Sequence, residues 1–413
     1  MKTIIEFIKN EWNSFSKNTK IALAVLVSLF ALFVIFAIQI LFWGLGYTDM
    51  NNTFAMGLWI IGDLGFVALG GGAFFTGFML YILRVDKLEP LINSTVLIGF
   101  MCYLFTFVLL VFDIGQPLRA WFGYAYPNWG AHLMPQSMLT EVVWCLTFYF
   151  LVLCVELIPI PLKHKILDKI PVLHYTGHYL HRLMWVMAAV GTFLSFFHQG
   201  SLGGGMWDVL YGKPGWWRAH HQLFFLAIVA ATAGGTCMMI MVPKIAERIM
   251  KKEVAPKESF WTLAKISGVM FIFYFVFRIY DVYTMTTQFV PLADRTFAST
   301  LGGYYGWTTL IPELLLALVP IAILNVKKLR EQENLLFIAV ICGASAIVFS
   351  KIGVVLNGFS VPLFPWRGFA TYMPTIQEWL ILFGSIATMI LIYMGFAAYL
   401  PLFPHLEKHE HHE

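Results

Sequence analysis

The sequence predicts an all-α integral membrane protein with ten transmembrane helices, on three observations. Of its 413 residues 59% are hydrophobic and 12% charged, about half the roughly 25% charge of a soluble domain. Mean hydropathy is +0.74, so much of the surface must face lipid. Ten apolar runs, each close to the ~20 residues a spanning helix needs, are bounded by charge, proline or glycine. They leave no stretch for a soluble domain of useful size, so residues 21–401 form one membrane domain. A net charge of +4 with no basic face argues against nucleic acid as a partner.

The first run, 21–43, follows Lys2, Lys9, Lys17 and Lys20. It is longer than the ~7–15 apolar residues of a signal peptide and has no small-residue cleavage site, so it is a span preceded by a short segment, 1–20. The second, 57–83, has Asp63 in its first turns and then Ala68-Leu69-Gly70-Gly71-Gly72-Ala73-Phe74-Phe75. Three successive glycines weaken a helix, which requires that the segment be buried in protein where neighbouring backbones come close. The third, 91–114, ends at Asp113, and the fourth, 136–158, opens with Glu141. The fifth, 177–198, is expected to end at His198, ahead of a glycine-rich turn at Gly200 and Gly203–Gly205. The sixth, 218–242, begins with Arg218, His220, His221 and Gln222. The seventh, 261–289, contains Arg278 and Asp281; the eighth, 306–325, Glu313; the ninth, 335–357, Lys351 and Asn357; and the tenth, 374–401, Glu378. Residues 402–413, with their histidines, read as a solvated tail.

Lysine and arginine are retained on the cytoplasmic side. The two termini and the even-numbered loops hold 18 of the 27, the odd-numbered loops 5. Both termini are therefore expected in the cytoplasm of a bacterial inner membrane. The five cysteines (Cys102, Cys145, Cys154, Cys237, Cys342) lie in apolar runs without a C-x-x-C pair, so neither an iron–sulfur cluster nor a c-type haem is expected in this chain.

Ionisable groups inside spans are costly and mark function by default. Here they gather on the expected outer side: Asp63, Asp113, Glu141, His198 with Gln199, Arg278, Asp281, Glu313, Lys351 and Glu378. Arg278 and Asp281, at i,i+3, make a ready structural pair, and Lys351 could neutralise Glu313 or Glu378, so these five read as a polar cluster of the later spans. Asp63 and His198 have no opposite charge within a turn of their own helices.

Several motifs together resemble the NrfD/PsrC family, the membrane subunits of polysulfide reductase-like complexes. They are the Ala68–Phe75 run, Phe112-Asp113-Ile114-Gly115-Gln116-Pro117-Leu118-Arg119-Ala120-Trp121, Ser137-Met138-Leu139-Thr140-Glu141, and His198-Gln199-Gly200-Ser201-Leu202-Gly203. Ten spans resemble the longer branch of that family, in which menaquinone reductase membrane subunits fall. Members often have Arg or Lys where this chain has Gln116, which leaves Arg119 as the cation there. The resemblance implies two four-helix bundles, spans 2–5 and 6–9, flanked by spans 1 and 10. It also implies a menaquinone or related quinone as bound substrate and a periplasmic iron–sulfur (ferredoxin-like) partner, with further cytochrome c or molybdopterin-type subunits in the complex.

Quinone reduction needs groups that exchange protons near neutral pH. Asp63 and His198 are the expected catalytic pair, and Gly71, Phe74, Asp113, Arg119, Tyr124, Glu141, Phe197 and Gln199 the expected surround. Tyr81, Thr147, Thr232 and Thr236 could support a water chain for protons, although such hydroxyls usually bond their own helix. Two other classes stay open: a haem-b cytochrome held by His198 with His220 or His221, and a ten-span secondary transporter.

Overall fold

A run of apolar residues in lipid must satisfy its own backbone, which makes it a helix. The computed structural model describes residues 16–115, 117–125, 138–164, 167, 169–210, 221–284, 287, 306–360, 366–368 and 370–403; most of the expected N-terminal segment and tail lie outside these. Among the described residues the secondary structure is helical throughout, with no strand. The long helices are α1 (Lys17–Trp43), α2 (Leu58–Tyr81), α3 (Ile92–Asp113), α4 (Met138–Leu157), α5 (Met184–Leu210), α6 (His221–Met250), α7 (Lys257–Thr284), α8 (Gly306–Leu324), α9 (Glu333–Ile352) and α10 (Ile376–Tyr399). Nine helical segments of the described residues are long and apolar enough to cross a membrane. A tenth results when Pro171–Arg182 and the start of α5, bent 56° apart, count as one span.

That bend corrects the fifth span. Its expected start belongs to a separate amphipathic helix, Pro171–Arg182, and α5 runs on past His198 to Leu210 instead of ending there. The reason is packing. A side chain at Gly200 would collide with Phe224 of α6, so the glycine marks a close helix contact and not a turn.

Helices α2, α3, α4 and α5 close one four-helix ring and α6, α7, α8 and α9 a second. The rings join where α2 crosses α6. The two helices touch through glycine backbones: a Cβ on Gly72 would strike Gly235, and one on Gly235 would lie 2.6 Å from the Gly72 Cα. Gly72, from the glycine run of α2, and Gly235 are thus the contact between the corresponding first helices of the two rings. Helix α2 is buried almost throughout, with Leu58–Phe74 all buried. Helix α1 lies outside both rings against α10, where Gly384 leaves room for Phe33; its exposed Ile35, Ile38 and Phe42 suit a lipid-facing surface.

At the start of α10 a capping box unites Thr375 and Glu378. Glu378 also accepts from the Asp49 backbone (3.1 Å) and from the Tyr372 hydroxyl, which itself accepts from Leu58 N (2.8 Å). Burial, then the neighbouring carboxylate, holds the Tyr372 hydroxyl protonated well above its ordinary range. Trp59 donates to the Glu378 carbonyl (3.2 Å). This clasp ties α10 to the entrance of α2.

Candidate functional site

The first ring surrounds a set of buried polar groups that lack partners. Asp63 sits two turns into α2 and is 2% exposed, and neither oxygen meets a hydrogen-bond partner among the described residues. Asp113, the half-buried last residue of α3, likewise has neither oxygen partnered among the described residues, and the two carboxylates lie close enough to repel when both are ionised. From α5, His198 is 1% exposed with neither ring nitrogen partnered. Buried polar groups are ordinarily satisfied, so this concentration points to a ligand.

Tyr149 of α4 packs against His198. Its ring meets His198 edge-on at 4.9 Å and Tyr103 of α3 at 4.3 Å, its hydroxyl has no partner, and it lies within charge range of Asp63. Phe74 completes the aromatic wall, 5.7 Å from Tyr149 and 5.8 Å from Tyr103. The carbonyl of Val67 on α2 latches the neighbouring helices: it accepts from Gln199 Nε2 (2.8 Å) and from the Tyr103 hydroxyl (3.3 Å). Gly71 permits this, because a Cβ there would come within 3.2 Å of the Gln199 amide. Glu141 accepts from Ser201 Oγ (2.8 Å) and Cys145 Sγ (3.4 Å), which places it one turn of α5 from His198.

The structure therefore brings together Asp63, Gly71, Phe74, Asp113, Glu141, His198 and Gln199, and leaves three expected residues apart. Tyr124 hydrogen-bonds Thr147 (2.8 Å) and packs on Trp144, on another face of α4 from Glu141, Cys145 and Tyr149. Arg119, on the short 3₁₀ helix Pro117–Tyr124, is exposed. Phe197 is 45% exposed and stacks on Phe193, away from its neighbour His198. Thr147, Thr232 and Thr236 donate to carbonyls of their own helices, while Tyr81 lies near Glu156 and Glu89 at the opposite end of α2. His220 lies outside the described residues, as does the side chain of His221.

The second ring treats its charges differently. Arg278 of α7 donates to both oxygens of Glu313 on α8 (2.7 and 3.1 Å) and to Asp281 (2.6 Å), and Tyr274 donates to Glu313 (2.6 Å). Lys351 stands beside this group, within charge range of Glu313. Glu378 does not join it; its place is the α10 clasp described above.

Tyr103, Tyr149 and Ser201 escaped the sequence reading. A tyrosine in mid-span has a hydroxyl that must find a partner, and that requirement was the available signal.

Residues 46–362 match the protein family described as "Polysulphide reductase, NrfD". The chain is 38% identical over 375 residues to the menaquinone reductase integral membrane subunit of Nitratidesulfovibrio vulgaris, covering 89% of this chain and 88% of the relative. It is 26% identical over 377 residues to the probable Ni/Fe-hydrogenase 2 b-type cytochrome subunit of Escherichia coli, covering 90% and 89%. With these matches and its many apolar helices, the chain is a multi-pass membrane protein that belongs to the NrfD family.

Proposed function

We propose that this chain is the quinone-interacting membrane subunit of a respiratory oxidoreductase complex, and that its first four-helix ring holds the head of a menaquinone. The observation that supports this most is the set of buried groups without partners among the described residues, Asp63 on α2 and His198 on α5, with His198 edge-on to the equally unpartnered Tyr149. The likeness to a menaquinone reductase subunit supports the choice of ligand. A flat, apolar ring with an oxygen at each edge needs an apolar slot and a proton-exchanging group at each end. Glycines and aromatic side chains supply the slot, and Asp63 and His198 the ends.

Reduction of a quinone consumes two electrons and two protons. His198 hydrogen-bonds one ring oxygen and Asp63 serves the other, each passing a proton as negative charge develops there. Tyr149 orients the imidazole, and Gln199, held by the Val67 carbonyl, fixes α5 against α2. Asp113 exchanges protons with Asp63 towards the end of α3. Oxidation of a quinol uses the same groups in reverse. The electrons come from or go to a periplasmic iron–sulfur protein, with cytochrome c or molybdopterin-type subunits beyond it. This arrangement has both termini in the cytoplasm, as the 18-to-5 distribution of Lys and Arg favours. Proton uptake from the cytoplasm to a site near the outer face would make turnover electrogenic.

The test is quinone-linked turnover of the assembled complex carrying Asp63→Asn or His198→Ala. Each is expected to lower the rate by about 10²–10⁴-fold, the usual worth of a general acid or base. Wild-type rates in both would remove these residues from the site. A b-type band in the reduced absorption spectrum of the purified subunit would instead favour the haem-binding class.

A further inference from the structure

Where the two rings meet, a cavity of ≈ 30 Å³ opens between α2, α5, α6 and α9. Its apolar lining is Leu64, Leu202, Gly203, Leu226, Ala227, Ala230 and Val354, and its polar lining comes from Ser350 and Lys351 of α9. Leu64 follows Asp63 directly, and Leu202 lies one turn of α5 beyond His198. The cavity thus borders the proposed quinone site from the side of the second ring.

Lys351 is 8% exposed. Glu313, the acid whose charge it feels most, is already taken by Arg278 and Tyr274, and Lys351 makes no ion pair of its own among the described residues. Charge balance accounts for a cation near this group, since Arg278, Asp281 and Glu313 together sum to one negative charge. It does not account for a lysine that is 8% exposed, makes no side-chain hydrogen bond among the described residues and lines a cavity. A single water has room there but would find only Ser350 and Lys351, and Ser350 already lies beside the Tyr274 hydroxyl, which leaves the water short of the two to four polar partners a buried water wants. Phosphate, with four oxygens, would meet only one ammonium and one hydroxyl. A carbonyl or hydroxyl at the edge of an apolar ring matches both the donors and the walls.

We propose that Lys351 is a quinone-binding residue contributed by the second ring, donating a hydrogen bond to a ring oxygen whose edge enters the cavity between the rings. This rests on the quinone reading above and extends it, making the site a joint product of both rings.

The test uses the whole purified complex, with fluorescence quenching of 2-heptyl-4-hydroxyquinoline N-oxide as the binding probe and steady-state kinetics with a soluble menaquinone analogue. Lys351→Met is expected to weaken probe binding and raise KM by about 10-fold, the loss of one charge-assisted hydrogen bond, with kcat changed far less. Lys351→Arg is expected to keep most of the affinity. Ala227→Leu, which fills the cavity without touching charge, is expected to weaken binding to a similar extent, and it supplies the answer if Lys351→Met fails to fold. Unchanged affinity and KM in Lys351→Met, or in Ala227→Leu where the former does not fold, would overturn the proposal while leaving the Asp63–His198 site standing. Failure of the wild-type complex to bind the probe would instead sink the quinone reading itself.

Discussion

Tyr103 of the first ring has Ser195 beside its hydroxyl, and Tyr274 of the second ring has Ser350 beside its own. Around these matching pairs the rings diverge. Near Tyr274 the acid of α8, Glu313, accepts a two-pronged contact from Arg278, which also holds Asp281. In the first ring the side chains of Asp63, Asp113 and His198 meet no partner among the described residues. Lys351 aside, the two rings thus use their buried charge in opposite ways. A closed ion network holds helices together, whereas unpartnered donors and acceptors cost stability unless something else satisfies them. The second arrangement is what a ring that binds and releases a polar ligand requires.

The contrast can be broken from the second ring first. Arg278→Met leaves Glu313 and Asp281 buried without their cation, and removing one partner of such a network costs about 3–5 kcal/mol. Thermal unfolding of the solubilised complex checks this, and an unchanged midpoint would deny the network its structural role. A smaller effect is expected at the seam. Gly235→Ala pushes a methyl into the Gly72 backbone, and overpacking of this kind costs about 1–3 kcal/mol. It should also separate α2 from α6 enough to lower quinone-linked turnover. The smallest effect belongs to the α10 clasp. Tyr372→Phe removes the hydroxyl that serves Glu378 and Leu58, at about 1–2 kcal/mol, with turnover in the folded fraction kept.

The spans were legible because lipid selects long apolar runs: eight of the ten long helices among the described residues begin and end within about five residues of the expected places, while α6 runs through Pro243 to Met250, eight residues past its expected end. Helix α5 was not. Its glycines read as a turn, yet buried glycine is also how two helices approach closely, and only the position of Phe224 separates the two meanings. Asp63 and His198 stood out through the lack of an opposite charge near them in sequence, which is a local property. Tyr149 did not stand out, since an aromatic residue in a span is ordinary until its neighbours are known. Glu378 was grouped with Glu313 by shared depth. Its partners, Asp49 and Tyr372, come from loops whose folding the span pattern does not record.

The most direct test compares Asp63→Asn with Glu313→Gln in the assembled complex, measuring thermal midpoint and quinone-linked turnover on the same preparations. Asp63 makes no side-chain hydrogen bond among the described residues, so Asp63→Asn is expected to keep the midpoint while losing turnover by at least about 100-fold. Glu313→Gln is expected to lower the midpoint and leave turnover of the surviving folded fraction near wild type. The reverse pattern, in which Asp63→Asn unfolds early but turns over normally, would contradict the division of labour between the two rings.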